Sequence, residues 1–162
     1  MKEFEQVVQL SIPAKAEFID LARLSLYGVA AKMGFSYEDI EDMKVAVSEA
    51  CNNAVLHAYD DETGRIDLRF EMQPDAIRII VKDYGKSFNY EQEAKQAASL
   101  HHQSLDAAKI GGLGLFMMQA LMDQVEVLTI DGTEVILTKF LNRNEGEHNH
   151  EFISSSSIQE QP

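Results

Sequence analysis

The sequence predicts an α+β protein, a two-layer α/β sandwich in which helices cover one face of a mixed, mostly antiparallel sheet. Two observations support this fold class. The candidate elements follow the order β-α-α-β-β-loop-α-β-β along the chain. Neighbouring strands are joined by short, turn-rich segments typical of hairpins, and the helices lie between these strand pairs.

The first half of the chain is predicted to contain one strand and two helices. The segment FEQVVQLSIP alternates loosely and then meets Pro13, where we expect the strand to end. Apolar residues with helical spacing predict a first helix over 14–33, which Gly34 is well placed to stop. Ser36 is the expected N-cap of a second helix over 37–58.

The second half is predicted to contain two hairpins, a long loop and a third helix. RIDLRFEM alternates apolar and charged residues, whereas AIRIIVKDYG is more continuously apolar, as a central strand would be. The pattern weakens over 86–110, which we interpret as a long loop, often a lid or a binding loop. A helix in GGLGLFMMQALMDQV and a hairpin around DGT follow. We therefore predict a single domain over 1–141 and a disordered polar tail over 142–162.

Composition narrows the classes of function. The chain has 162 residues, enough for one domain with a sizeable core. Its formal net charge of −13 argues against direct nucleic-acid binding, which needs clustered Lys and Arg. The single Cys51 excludes an intramolecular disulfide and a thiolate zinc cluster. Neither a membrane span nor a secretory signal is apparent, so we expect a cytoplasmic protein without a membrane partner.

Glu49, Asn53 and His57 form a polar stripe on the second predicted helix, because residues four apart share one face. A solvated helix face would explain Glu49 and His57 equally well. Asn, however, is unfavourable within a helix unless its side chain has a task. One His beside an amide is a weak zinc site, whereas Mg²⁺ often needs only one protein oxygen plus substrate phosphates. Asn53 could supply that oxygen, and Glu49 could act as a general base toward a hydroxyl.

Two downstream segments contain glycines beside polar groups. In VKDYGKS, Asp83 could accept a hydrogen bond from an exocyclic amine, and Gly85 would let a flat base approach the backbone. An ordinary strand exit would also favour these residues. In KIGGLGLFMM, Gly111, Gly112 and Gly114 precede a helix, an arrangement that suits phosphate, although a flexible hinge is the alternative. The segment matches neither the P-loop nor the dinucleotide fingerprint.

The order E-x-x-x-N, D-x-G and G-G-x-G resembles the ATP-binding fold shared by sensor histidine kinases, type II topoisomerases and heat-shock chaperones, called the GHKL or Bergerat fold. Glu49 and Asn53 match the N box of that fold. Asp83 and Gly85 match its first glycine box, and Gly112 and Gly114 match its second glycine box. VSEACNNAVLHAY, EDMKVAVSEA and GGLGLFMMQALMDQV further resemble the small anti-sigma serine kinases of Gram-positive bacteria, over about 11–141.

This resemblance implies an ATP-dependent protein-serine kinase that uses ATP and Mg²⁺. Glu49 would be the catalytic residue, and Asn53 would bind the metal. Asp83 would select adenine by accepting a hydrogen bond from the amino group of the base. The glycines of KIGGLG would form part of a lid over the phosphates, and Lys109 is a candidate phosphate contact, although a solvated lysine is the alternative. His57 has no assigned role.

The resemblance also implies protein partners. They are a sigma factor of the stress-response, sigma-B-like type, which is sequestered, and an anti-anti-sigma factor, which is the phosphorylation substrate. A homodimer through the N-terminal strand and first helix is expected. Arg23 on that helix is a candidate partner contact, although an ordinary surface arginine is the alternative. The wider fold shows D-x-G-x-G, but Ser87 stands at the second glycine. A nucleotide-dependent binding module with little or no kinase activity, and a simple ATP hydrolase, are therefore the alternatives.

Overall fold

The computed structural model describes residues 6–58, 64–85 and 112–142. Its five strands are β1 (Gln6–Pro13), β2 (Arg65–Met72), β3 (Ala76–Asp83), β4 (Gln124–Leu128) and β5 (Thr133–Phe140). They form one sheet in the order β1-β2-β3-β5-β4, and each of these pairings is antiparallel. This arrangement confirms the predicted fold class, with β3 as the central strand.

The helices are α1 (Ile19–Met33), α2 (Tyr37–Asn53) and α3 (Gly112–Leu121), and a short 3-10 turn precedes α1. Two local signals act as the sequence predicts. Gly34 adopts φ 89° at the end of α1, a left-handed conformation that glycine reaches without steric cost. Ser36 caps α2, because its Oγ accepts a hydrogen bond from the Asp39 N–H at 3.1 Å.

The predicted start of the first helix was wrong, whereas the second helix ends where predicted but changes its geometry on the way. The first helix was expected over 14–33, but the chain makes the 3-10 turn Ala16–Phe18 before α1 begins. Lys15, with φ −130° and ψ 141°, is still extended, so the helix cannot start at residue 14. The second helix was expected over 37–58, but it is α-helical only to Asn53 and continues as a single π-helical turn, Ala54–Ala58.

The hydrophobic core lies between the helices and one face of the sheet, which we call the inner face. Alternate residues of β2 and β3 point into this core, and each is at most 2% exposed: Ile66, Leu68, Phe70, Ile77, Ile79 and Val81. The predicted seam of α2 is buried against them: Ile40, Met43, Val47, Ala50 and Ala54. Cys51 belongs to the same core, where burial raises the pKa of its thiol to about 12.

The opposite face of the sheet, the outer face, carries polar and charged side chains from the intervening positions. On β2 these are Arg65, Asp67, Arg69 and Glu71. A groove of about 710 Å³ runs across the outer face. None of the helices in the described ranges is both long and apolar enough to span a bilayer. The predicted loop over 86–110 and nearly all of the tail predicted over 142–162 lie outside the described residues.

Candidate functional site

Glu49 and Asn53 meet Gly114 where α2 packs against α3. A Cβ at Gly114 would lie 3.1 Å from Oε2 of Glu49. It would also lie 3.6 Å from Nδ2 and 3.7 Å from Oδ1 of Asn53. Glycine therefore lets the backbone of α3 approach both polar side chains closely. The structure thus joins two segments that are far apart in the sequence.

Asn53 lies at a change of helical geometry. It is the last α-helical residue of α2 and is only 7% exposed. The π-helical turn begins at the next residue, Ala54, which belongs to the core. Single π turns within helices are frequent at functional sites. Burial of an amide in this place is consistent with a specific polar task rather than a solvated helix face.

Asp83 occupies the end of β3 on the inner face and is 6% exposed. Its register partners are Ile66 on β2 and Thr133 on β5. Its Oδ1 accepts hydrogen bonds from the backbone N–H of Gly85 at 3.2 Å and of Thr133 at 3.3 Å. Burial raises the pKa of Asp83, and these two hydrogen bonds and the charge of Lys82 offset part of that rise. The carboxylate is therefore held in a defined orientation in a poorly solvated place.

Two residues at the start of β5 were not singled out from the sequence: Gly132, in the turn between β4 and β5, and Thr133, the first residue of β5. Thr133 is 3% exposed and supplies the second N–H donor to Asp83. Gly132 adopts φ 103°, and a Cβ there would overlap the carbonyl oxygen of Asp83 and lie 2.8 Å from Cα of Tyr84. The DGT segment was interpreted only as a hairpin turn. Its one local signal, a glycine in a turn, does not reveal the contact with β3.

The described residues thus form two clusters. Glu49, Asn53 and Gly114 make the first, and Asp83 with its two backbone donors makes the second. Helix α2 packs against β3 and β5, the strands that carry the second cluster, so the two lie on adjoining elements. Gly112 begins α3. Gly111, Lys109, Ser87 and the side chain of His57 lie outside the described residues.

A magnesium ion would fit the first cluster only with help from its substrate. Within the described ranges, no three His, Cys, Asp or Glu side chains are grouped so as to hold a metal. The amide oxygen of Asn53 beside the Glu49 carboxylate is an all-oxygen donor set of the kind that Mg²⁺ prefers. Because Mg²⁺ keeps waters and binds nucleotide phosphates, one such protein oxygen suffices.

Arg23, the candidate partner contact, lies on α1 and belongs to neither cluster. Its Nη1 is 3.4 Å from Oδ1 of Asp20, a solvent-exposed carboxylate. Its Nε is buried without a hydrogen-bond partner among the described residues. Large apolar side chains are exposed on the same helix: Leu21, Leu24 and Tyr27.

Comparisons with known proteins identify the family of this chain. The family described as "Histidine kinase-like ATPase domain" matches residues 12–139. The chain is 46% identical over 152 residues to the serine-protein kinase RsbW of Bacillus pumilus, covering 91% of this chain and 94% of the relative. It is 41% identical over 150 residues to the serine-protein kinase RsbW of Bacillus subtilis, with coverage of 91% and 94%.

A solved structure shares the fold. It is the crystal structure of the RsbU and RsbW domains of a Mycobacterium tuberculosis protein, with a TM-score of 0.60 and 22% identity. The match covers 83% of this chain and 32% of the solved chain, so this chain spans about a third of that protein. At this identity the likeness concerns the fold alone.

Proposed function

This chain belongs to the histidine kinase-like ATPase domain family, and from this we propose that it is an ATP-dependent protein-serine kinase that also acts as an anti-sigma factor. The observation that carries the proposal is the packing of Gly114 against Glu49 and Asn53. This packing supports one site made of an acid, an amide oxygen and a glycine-rich helix start. Such groups can orient a hydroxyl, bind a metal and contact phosphate, which are parts of a phosphotransfer from ATP.

Asp83 is the proposed adenine contact. Its Oδ1 is occupied by the N–H groups of Gly85 and Thr133, which fix the plane of the carboxylate. A fixed carboxylate at the buried end of a strand can accept a hydrogen bond from the exocyclic amine of adenine. The same position offers no donor to the carbonyl group of guanine while the carboxyl is ionised. Gly85 leaves room for the base beside the backbone.

Asn53 and the start of α3 are the proposed phosphate and metal contacts. A bound Mg²⁺ would supply positive charge that offsets the negative charge developing during transfer. The side-chain oxygen of Asn53 would hold it. The first N–H groups of α3, beginning at Gly112, have no partner within the helix and suit phosphate. Gly111 and Lys109 are proposed to extend this contact.

Glu49 is the proposed general base. It lies one turn before Asn53 on α2, so a metal-bound phosphate at Asn53 would be close to its carboxylate. The carboxylate takes the proton from a serine hydroxyl of the substrate protein. The serine oxygen then forms a bond to the γ-phosphorus, and the bond from that phosphorus to the β–γ bridging oxygen breaks, which releases ADP.

The proposed partners are a sigma factor of the sigma-B-like, stress-response type and an anti-anti-sigma factor that is the phosphorylation substrate. The exposed apolar side chains Leu21, Leu24 and Tyr27 of α1, with Val7 and Val8 of β1, support a homodimer through these two elements. The Arg23 side chain on the same helix is 43% exposed, which supports a contact with a partner. We place the protein in the cytoplasm, as one domain over residues 1–141.

The test is phosphotransfer from labelled ATP to a purified anti-anti-sigma protein by the parent chain and by Glu49→Gln. The amide keeps the size of the side chain but cannot take a proton at neutral pH. We expect ATP affinity to stay within about twofold and phosphotransfer to fall by at least about a hundredfold. Glu41→Gln near the start of α2 is the matched control, since Glu41 pairs only with Lys44 among the described residues. Unchanged phosphotransfer by Glu49→Gln would refute the role of Glu49.

A further inference from the structure

Tyr84 is the middle residue of the Asp83–Tyr84–Gly85 segment, and its side chain lies on the outer face of the sheet. Side chains alternate across a strand, so Asp83 points to the helices and Tyr84 points away from them. An exposed tyrosine at a strand exit would usually have no task beyond solvation. This tyrosine, however, is 49% exposed and is held by several groups on neighbouring strands.

The groups around Tyr84 form what we call the outer clamp: Ser11, Arg65, Asp67, Lys82 and Tyr84. The Tyr84 hydroxyl donates a hydrogen bond to Oδ2 of Asp67 at 2.6 Å. Ser11 Oγ donates to Oδ1 of the same carboxylate at 2.6 Å. The Arg65 guanidinium lies 4.7 Å from the centre of the Tyr84 ring, and Lys82 Nζ lies 5.6 Å from it. The clamp thereby links β1, β2 and β3.

Lys82 connects the clamp to the segment that contains Thr133, whose N–H is the second donor to the Asp83 carboxylate. Its Nζ donates a hydrogen bond to the carbonyl oxygen of Ile130 at 3.0 Å. Ile130 precedes the turn in which Gly132 touches the backbone of Asp83 and Tyr84. Thr133, the next residue, donates its N–H to Asp83. The outer clamp therefore restrains both backbone segments that orient the Asp83 carboxylate, one through Tyr84 and one through Lys82.

The central bond of the clamp is charge-assisted. Burial by itself would raise the pKa of Asp67, but hydrogen bonds from Ser11 and Tyr84 and the charge of Arg65 lower it below its ordinary value. Asp67 is therefore ionised at neutral pH. Hydrogen bonds to an ionised carboxylate are shorter and stronger than neutral ones, in agreement with the two 2.6 Å distances.

We propose that Tyr84 is a positioning residue for the base-binding site: by anchoring on Asp67 it fixes the Asp83–Gly85 segment and so sets the preference for adenine over guanine. This inference rests on the proposed ATP site. Tyr84 touches no nucleotide in this proposal and acts only through Asp83 and Gly85. The side of the sheet that faces away from the helices thus contributes to nucleotide selectivity.

The experiment compares ATP and GTP binding by the full chain and its variants. Tyr84→Phe removes only the hydroxyl that donates to Asp67. We expect the dissociation constant for ATP to rise about fivefold, a factor in the range of one net hydrogen bond, with that for GTP unchanged. The KM for ATP should rise by the same factor, and kcat should stay within about twofold, because Glu49 and Asn53 are undisturbed.

A double-variant cycle and a control sharpen the test. Asp67→Asn should weaken ATP binding similarly, and the double variant Tyr84→Phe/Asp67→Asn should bind no more weakly than the worse single variant. Glu71→Gln disturbs another outer-face network, in which Glu71 pairs with Arg69 at 3.0 Å and Arg78 at 2.9 Å. It should leave the ratio of ATP to GTP affinity unchanged.

Three results would decide against the inference. An unchanged ATP to GTP ratio in Tyr84→Phe overturns the positioning role while leaving the proposed kinase intact. The same loss of selectivity in Glu71→Gln overturns it as well, because general disturbance of the sheet would then be the cause. A parent chain that does not bind ATP refutes the proposed function itself.

Discussion

Replacement of Gly114 by alanine should separate folding stability from phosphotransfer. The new Cβ would lie 3.1 Å from Oε2 of Glu49, whereas ordinary contacts begin at 3.4 Å. The Glu49 carboxylate must therefore retreat by about 0.3 Å. The nearest atoms of Asn53, at 3.6 and 3.7 Å, are already at ordinary contact distance and need not move. The substitution thus displaces the proposed base and spares the proposed metal ligand.

The expected magnitudes follow from this geometry. Alanine within a helix is more favourable than glycine by about 0.8–1.0 kcal/mol. A displaced Glu49 side chain costs at most about 0.5–1.5 kcal/mol if it leaves its rotamer. The free energy of unfolding should therefore stay within about 1 kcal/mol of the parent value. A misplacement of about 1 Å can reduce a rate about a hundredfold, so a shift of about 0.3 Å should reduce kcat about fourfold.

The assay combines urea unfolding, ATP binding by calorimetry and phosphotransfer under saturating ATP. Gly28→Ala on α1 is the matched control, because a Cβ there meets nothing within 4 Å. It should raise stability by a similar helix-propensity increment and leave kcat unchanged. If Gly114→Ala transferred phosphate at the parent rate, Glu49 would not act from its observed position. A large loss of stability would instead show that Gly114 serves only helix packing.

Three further substitutions follow from the same contacts. Asp83→Asn should weaken ATP binding at least about tenfold without loss of stability at pH 7. Because the pKa of Asp83 is raised in the folded chain, its contribution to stability is largest below the ordinary value of about 4 and is lost as the pH rises through the raised value. Gly132→Ala should cost more than the about 1–2 kcal/mol of a left-handed conformation alone, because its Cβ would also overlap the Asp83 backbone, and it should weaken ATP binding for the same reason. Ser36→Ala should cost about 1 kcal/mol by removing the N-cap of α2 and leave kinetics unchanged.

Each of these outcomes has a direct check. Thermal unfolding of Asp83→Asn between pH 4 and pH 7 should show a smaller loss of stability with rising pH than the parent; a steeper loss would contradict the assigned sign. Gly34→Ala is the control for Gly132→Ala, since Gly34 has φ 89° and open space around it. It should cost stability alone. A kinetic defect in Ser36→Ala would mean that the start of α2 also shapes the site.

Local signals allowed much of the fold to be predicted. Gly34 and Ser36 act within one helical turn, and the alternation in β2 needs only its own eight residues. The end of α2 could not be predicted in this way. Nothing in the sequence of residues 54–58 forbids an α-helix, and the π turn begins where Asn53 and Ala54 are buried, which single-helix patterns do not reveal.

The residues of the candidate site also fall into those that sequence motifs reveal and those that only the assembled sheet reveals. Motifs selected four site residues: Glu49, Asn53, Asp83 and Gly114. In the structure, Glu49 and Asn53 contact Gly114. The contacts of Thr133 with Asp83 depend instead on the register of β3 against β5, which joins residues fifty positions apart. Single-strand patterns contain no register, so Gly132, Thr133 and the role of Tyr84 could emerge only from the assembled sheet.

Different parts of the fold hold the residues proposed for nucleotide binding and those proposed for phosphate transfer, so substitutions can affect affinity and rate separately. Asp83 is fixed by the central strand, the β4–β5 turn and the outer clamp, all of which belong to the sheet. Glu49 and Asn53 are fixed by the contact of α2 with α3. A change on the sheet side therefore alters which base is held and how tightly, and a change at Gly114 alters the rate of transfer. Asp83→Asn and Gly114→Ala should report separately on affinity and on kcat, because the two hydrogen bonds that orient Asp83 and the contact of Gly114 with Glu49 and Asn53 share no residue.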